Sequence, residues 1–275
     1  WLGNEFRITL SSEDVDGGKT QVMNVSPRPA GIELINETTA SNVNRDMAYI
    51  FAVPGSDQMI IRGTIPKGQT GFEIKGALHN PAEVLRKELI KAFNKEGIRV
   101  SQKEVHPEDD KSLAIILGAP LKEIVSVTLH DSDNSMADCL LKHIGKRFKN
   151  DGSFQGGVNS LHAFWGERGV DTKGWFQKDG SGLSRSNGIT THQLALIIAK
   201  GSEKNISHLK LGMKHLGNVK NVWSKSGYID RVRAYSGFIE VDDHLYAYSI
   251  MANNYDCNAS DMRKKIEKLF KEVAK

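Results

Sequence analysis

Residues 130–145 read HDSDNSMADCLLKHIG. The first five are polar and lie between two stretches of helical apolar spacing. Leu121, Ile124, Val125 and Thr128 precede them, and Met136, Leu140 and Ile144 follow. Pro120 suits the start of the first helix, and the second is expected from about Ser135 to Phe148. Ser132, Asp133 and Asn134 therefore occupy a tight connection between helices. In such a connection a hydroxyl and a carboxamide two residues apart can point into one cleft. Ser, Asp and Asn are also the favoured helix N-caps, so capping alone accounts for the triplet.

Downstream, a short helix carries Leu161, Phe164 and Trp165, and Thr191 to Lys200 has helical spacing. Between them lies the turn-rich run Lys178-Asp179-Gly180-Ser181-Gly182-Leu183-Ser184-Arg185. The chain then reads strand, strand, strand, helix. The strands are Val222–Ile229, Val232–Val241 and Leu245–Ala252, with Asp242-Asp243 as a hairpin connection. Met262, Ile266, Leu269, Phe270 and Val273 supply the closing helix. The first strand contains Trp223-Ser224-Lys225-Ser226-Gly227-Tyr228. A lysine facing a cleft from a strand is a fixed cation, the adjacent hydroxyl can bind a carboxylate, and Gly227 admits a ligand backbone. Taken alone, the same residues describe an edge strand with a solvating lysine.

Upstream, the chain is strand-rich. Met47–Val53 and Gln58–Ile65 flank the turn Pro54-Gly55-Ser56-Asp57, and Phe72 to Leu78 suggests a third strand. Asn80, Pro81 and Glu83 form the start of a capped helix. Leu85, Leu89, Ala92 and Phe93 make its apolar stripe, and Gly97 ends it. The polar run His106–Lys111 marks a boundary, dividing the chain into 1–105 and 106–275.

The chain has 275 residues, enough for one large domain or two ordinary ones. Its formal charge of +4 is near neutral for this length, so no electrostatic footprint for nucleic acid is visible. No apolar run approaches the ~18 residues of a membrane span. Trp1-Leu2-Gly3-Asn4 reads as an internal start, with no signal-peptide pattern. Two cysteines, Cys139 and Cys257, exclude a disulfide scaffold and read as core thiols rather than a bridge. Nine histidines are scattered without an HExxH pair, so no metal site is expected, and no cofactor. Gly17-Gly18-Lys19-Thr20 resembles the end of a phosphate loop. However, Glu13 stands where that loop needs glycine, and Asp14 and Asp16 would repel phosphate, so a turn is expected.

In order, Ser132-Asp133-Asn134 and Lys225-Ser226-Gly227 resemble the Ser-x-Asn and Lys-Thr/Ser-Gly motifs of penicillin-binding proteins and serine β-lactamases. With residues 130–145, Asp179–Arg185 (DGSGLSR), Gly63-Thr64-Ile65-Pro66 and the helix after Asn80-Pro81, the chain is similar to the D-alanyl-D-alanine carboxypeptidases of the low-molecular-mass class C, the penicillin-binding protein 4 type. The resemblance is clearest from about Ile60 to the end.

It implies an α/β fold of α+β type, the penicillin-binding/serine β-lactamase-like transpeptidase fold. A mainly antiparallel sheet with flanking helices would be accompanied by a β-rich inserted domain. On that basis 1–105 is the C-terminal part of the insert and 106–275 an incomplete penicillin-binding domain. The implied activity is a serine-type carboxypeptidase or endopeptidase (a hydrolase acting by proteolysis) on peptidoglycan stem peptides of the bacterial cell wall. It would sit in the periplasm or cell envelope and be inhibited by β-lactams.

The catalytic residues implied are Ser132 as a proton relay, Asn134 holding a substrate amide, and Lys225 setting the positive potential. Ser226 would bind the substrate carboxylate beside Gly227, and the backbone N–H of Tyr228 would be half of an oxyanion hole. Tyr228 departs from the family's small Thr or Ser, and Ser226 from its frequent Thr. The family's Ser-x-x-Lys, which carries nucleophile and base, should precede Ser132. The chain's Ser207-His208-Leu209-Lys210 comes after it and reads as chance. The nucleophile is therefore expected upstream of this chain, leaving the 275 residues inactive alone. The rival reading is a non-catalytic binder or scaffold for wall peptides with the same fold. A compact β-lactamase is disfavoured by the strand-rich first segment and DGSGLSR.

Overall fold

A computed structural model of the chain describes residues 4–28, 32–52, 56, 58–78, 80–101, 115–202 and 206–274. It divides into two compact units, Trp1–Leu113 and Ala114–Lys275. The expected boundary at 105/106 with its run His106–Lys111, the residues Trp1 to Gly3, and Pro54, Gly55 and Asp57 of the expected turn lie outside the described residues.

The first unit is built from two three-stranded sheets. Its strands are β1 (Glu5–Ser12), β2 (Thr20–Ser26), β3 (Glu33–Ser41), β4 (Met47–Ala52), β5 (Gln58–Pro66) and β6 (Phe72–Ala77), followed by helix α1 (Pro81–Lys95). One sheet has the order β2-β1-β6 and is antiparallel throughout. The other has the order β3-β5-β4, with β3 parallel and β4 antiparallel to β5. Period-two alternation sends Phe6, Ile8 and Leu10 of β1 inward, where they join Met59, Ile61 and Ile65 of β5 and Ile74 of β6. The expected strands β4, β5 and β6 are present. The strands β1 to β3 form from more polar segments, whose alternation is short and interrupted.

Asn80 caps α1 by accepting from the N–H of Glu83, and Gly97 ends it with φ +76°. The Gly97 N–H reaches the Asn94 carbonyl and the Ile98 N–H that of Phe93, closing a Schellman motif. The expected stripe is corrected. Val84 is the residue that enters the core, while Leu85, Leu89 and Phe93 are exposed. Val84 is the buried residue of α1, so the face turned inward is the one that carries it rather than the longest apolar repeat. Because Ile61 is fully buried on the central strand of its sheet, Ile61→Ala should cost about 2–5 kcal/mol in urea unfolding, whereas Tyr49→Ala, 59% exposed, should stay within about 0.5 kcal/mol. Equal effects would contradict this core assignment.

The second unit runs α2 (Leu121–Asp131), α3 (Asn134–Lys149), α4 (Phe154–Gly166), α5 (Thr191–Ser202), α6 (Ile206–Gly212), β7 (Lys214–Leu216), β8 (Val219–Ile229), β9 (Val232–Val241), β10 (His244–Asn253) and α7 (Ala259–Val273). The four strands form one antiparallel sheet, β10-β9-β8-β7. Asp242 and Asp243, at φ 48° and 59°, make the tight β9–β10 turn. Helices cover both faces. Tyr235 and Ile239 of β9 pack with Ile266 and Phe270 of α7, while α5 lies against β9 and β10. The α+β class expected from the sequence is thus observed. The short α6 and β7 escaped the sequence reading because seven and three residues carry too little periodicity.

On α3, Leu141 and Gly145 are buried, whereas Met136, Leu140 and Ile144 are half-buried. The reason is the close crossing of α3 and α4: a Cβ on Gly157 would fall 2.3 Å from the Leu141 carbonyl oxygen, so the contact needs glycine. Cys139, expected in the core, is exposed, and Cys257 is half-buried; both are free.

Candidate active site

Ser132 sits between α2 and α3 in the left-handed conformation, φ 58° and ψ 46°. For a residue with a Cβ this costs about 1–2 kcal/mol, so the surrounding structure must impose it. The imposition comes from both sides. The Asp133 N–H returns to the Thr128 carbonyl of α2, and the Asp133 carboxylate caps α3 by accepting from the Met136 N–H at 2.8 Å. The capping role open to any of the three residues therefore falls to the middle one. Ser132 and Asn134 are left to line a cleft of about 540 Å³.

The opposite wall is the β8 strand. Lys225 Nζ donates to Ser132 Oγ at 2.8 Å and to the Ser226 carbonyl at 2.6 Å, joining residues 93 positions apart. Ser226 and Gly227 line the same cleft. Burial, and after it the charge of Lys214, hold the Lys225 ammonium below its ordinary pKa. Tyr228 is not among the cleft-lining residues, and its ring is 53% exposed. The edge of β8 is open here. β7 pairs with β8 only as far as Ser224, so from Lys225 onward that edge has no strand partner among the described residues.

Of the run 179–185, Gly180 and Ser181 line the cleft, and the hydrogen bonds that hold the run are what the sequence reading missed. Asp179 is the hub of the loop: Oδ1 accepts from the Gly182 N–H and from Asn187 Nδ2, both at 2.8 Å, and Oδ2 from the Ser184 N–H at 2.7 Å. Asp138 of α3 then clamps the loop by accepting from the N–H groups of Gly180 and Ser181, at 2.8 and 2.9 Å. A Cβ on Gly180 would lie 2.2 Å from the Ala137 carbonyl oxygen, so only glycine permits this approach. Asp138 lies six residues after Ser132, inside the quoted stretch. Its clue was a carboxylate three residues before Leu141, on the face that α3 buries. Gly180 and Ser181 thereby line the cleft beside Asn134.

The remaining cleft wall is apolar, formed by Leu129, Trp165, Leu194, Ile197 and Met213 among others. Beneath β8, Ser224 hydrogen-bonds the Tyr248 hydroxyl, and burial raises the pKa of Tyr248 to about 12. Ser207 and Lys210 do not line the cleft, and Lys210 Nζ lies 3.7 Å from the centre of the Trp223 ring. Among the described residues, no group of three or more His, Cys, Asp or Glu side chains could hold a metal ion. No helix among them is long and apolar enough to cross a membrane.

Residues 3–273 match the model of the D-Ala-D-Ala carboxypeptidase 3 (S13) family. A D-alanyl-D-alanine carboxypeptidase of Actinomadura sp. strain R39 is 24% identical over 226 residues, which are 73% of this chain and 42% of that protein. A D-alanyl-D-alanine carboxypeptidase, DacB, of Haemophilus influenzae is 25% identical over 204 residues, 65% of this chain and 42% of the relative. The chain spans less than half the length of these curated relatives. The structure of penicillin binding protein 4 from Haemophilus influenzae, complexed with a β-lactam, superposes with a TM-score of 0.80 at 21% identity, over 100% of this chain and 70% of that one. The fold is therefore that of penicillin-binding protein 4.

Proposed function

The chain belongs to the D-Ala-D-Ala carboxypeptidase 3 (S13) family, and we propose that it supplies most of the active cleft of a serine-type carboxypeptidase acting on peptidoglycan stem peptides. The observation that carries this reading is the 2.8 Å contact of Lys225 with Ser132 in a cleft also lined by Asn134 and Ser226. In this reading 1–105 is the β-rich insert and 106–275 the penicillin-binding domain, and the protein works in the bacterial periplasm or cell envelope.

The reaction is acyl transfer through a serine ester. A serine hydroxyl upstream of this chain attacks the carbonyl of the penultimate D-Ala, and its proton passes to a neighbouring lysine. The C–N bond breaks, and the departing D-Ala amine takes a proton relayed through Ser132. Water then adds to the ester, releasing the shortened peptide and restoring the serine. Lys225 keeps the Ser132 hydroxyl oriented and the cleft positive. Asn134 holds a substrate amide, and Ser226 and Gly227 receive the terminal residue along the open β8 edge. The Tyr228 N–H supplies one half of the oxyanion hole, a donor whose loss typically costs about 3–4 kcal/mol. The role uses backbone alone, so an exposed Tyr228 ring is compatible with it.

The apolar wall from Leu129 to Met213 supports a place for the helix bearing the nucleophile, since a peptide of polar stems would not call for so much aliphatic surface. The test is labelling with a reporter penicillin followed by intact-protein mass spectrometry. A protein extended upstream through its Ser-x-x-Lys should gain one β-lactam mass, and the 275-residue chain alone should gain none. If the upstream sequence holds no Ser-x-x-Lys and no adduct forms, the non-catalytic wall-peptide binder replaces the enzyme. A stoichiometric adduct on the short chain would overturn the placement of the nucleophile.

A further inference from the structure

The β3-β5-β4 sheet turns one face to the core of the first unit and leaves the other exposed. Met59 and Ile61 of β5 point inward, so Gln58, Ile60 and Arg62 point outward. Register sets their neighbours. Phe51 stands beside Ile60, Tyr49 and Glu37 flank Arg62 on its two sides, and Glu33 stands beside Gln58. The outer face is thus laid out in rows, one apolar and one of a phenol, a guanidinium and a carboxylate.

Two features set this face apart from an ordinary solvated sheet, whose outward residues are polar. Tyr49 and Phe51 are 59% and 53% exposed on the outer strand β4, two residues and so about 6–7 Å apart, with both rings on one side. The polar side chains beside them are already ordered. Arg62 Nε donates to Glu37 Oε2 at 2.5 Å, and Gln58 Nε2 donates to Glu33 Oε2 at 2.8 Å. Both members of the Arg62–Glu37 pair are exposed, so the other guanidinium N–H groups and the other carboxylate lone pairs still face water. A partner that bonds to them meets side chains with little freedom left to lose. Charge narrows the partner further. One guanidinium stands against two carboxylates, too little of either sign to hold a charged polymer. A sugar ring answers both features. Its C–H bonds present an apolar face to the negative face of an aromatic ring, and its hydroxyls form a rim of donors and acceptors.

We infer that the outer face of the β3-β5-β4 sheet is a glycan-binding platform. Tyr49 and Phe51 stack against the rings of an uncharged chain of N-acetylated sugars, and the Arg62–Glu37 and Gln58–Glu33 pairs hydrogen-bond its hydroxyl and acetamido groups. The occupant is the glycan strand to which the stem peptides of peptidoglycan are joined. That choice of source rests on the peptidase reading above, whereas the affinity for sugars rests on the sheet face alone. A second grip on the same polymer raises the local concentration of stems around the protein.

The test measures binding of the 275-residue chain to the β-1,4-linked hexamer of N-acetylglucosamine by calorimetry, and its co-sedimentation with insoluble glycan strands from which an amidase has removed the stems. Both should bind, and the affinity for the hexamer should change less than about twofold between about 0.05 and 0.5 M salt, because no net charge is engaged. Tyr49→Ala and Phe51→Ala should each weaken hexamer binding at least about tenfold, and Tyr49→Phe should stay within about threefold of wild type. The alanine variants should keep their urea midpoints, since both side chains are exposed, and in the upstream-extended protein they should react with a reporter penicillin at the wild-type rate. Alanine variants that bind as wild type does, or no binding of either hexamer or stripped glycan, overturn the platform and leave the peptidase reading intact. Binding of the hexamer without the stripped glycan overturns the wall strand as the occupant. Glycan binding by a protein that forms no penicillin adduct when extended upstream sinks the peptidase reading and leaves the platform standing. A dimer abolished by Tyr49→Ala, with no sugar bound, assigns the face to a second copy and overturns the platform.

Discussion

Lys225→Ala should slow acylation by a reporter penicillin at least about a hundredfold in the upstream-extended protein. Lys225 Nζ makes two charge-assisted hydrogen bonds, to Ser132 Oγ and to the Ser226 carbonyl. Each such bond is worth about 1.5–3 kcal/mol, and a hundredfold corresponds to about 2.7 kcal/mol. Arginine should not rescue, because a planar fork cannot occupy the place of a compact ammonium. The pH profile gives an independent readout. Both bonds are charge-assisted, and the cleft is positive, only while the amine is protonated, and its pKa lies below the ordinary 10.5. Acylation should therefore fall, as pH rises, at a lower pH than a free lysine would set. Lys214→Ala removes the neighbouring charge and should move that alkaline limb upward. Wild-type acylation rates in Lys225→Ala would remove Lys225 from the chemistry altogether.

Asp179→Ala should release the 179–185 loop. The substitution leaves the N–H groups of Gly182 and Ser184 and the side-chain amide of Asn187 without their acceptor. Allowing for water that replaces part of each bond, a loss of about 3 kcal/mol in local stability is expected. Hydrogen exchange at Gly182 and Ser184 should accelerate by about a hundredfold, while exchange in β9 stays unchanged. Asp179→Asn keeps one acceptor oxygen and should fall between the two. Because Asp138 holds the same loop from α3, Asp138→Ala should loosen Gly180 and Ser181 without freeing Ser184. Unchanged exchange in Asp179→Ala would show that the loop is held by its other contacts.

The parts of the molecule that sequence made readable are those in which one residue type has one physical use. The hairpin of β9 and β10 was legible from Asp242-Asp243 between two apolar runs, and α1 from Asn80, Pro81 and Gly97. The pairing of Ser132 with Lys225 was not legible from spacing at all, since 93 positions separate them. It became an expectation only through resemblance. Asp138 and Asp179 were hidden for a different reason. A carboxylate that accepts backbone N–H groups leaves no periodic trace, and its donors are contributed by residues of any kind. The stripe of α1 misled because amphipathic spacing reports that a face is apolar, not that a core is there to meet it. Cys139 misled similarly, as a small thiol is tolerated on either side of a helix.

The brevity of β7 has a price beyond the cleft. A sheet whose outer strand stops at Ser224 offers the rest of β8 as a template to any extended chain, including a neighbouring copy of the same protein. The first residue of that open stretch is Lys225, whose ammonium is turned toward Ser132 in the cleft.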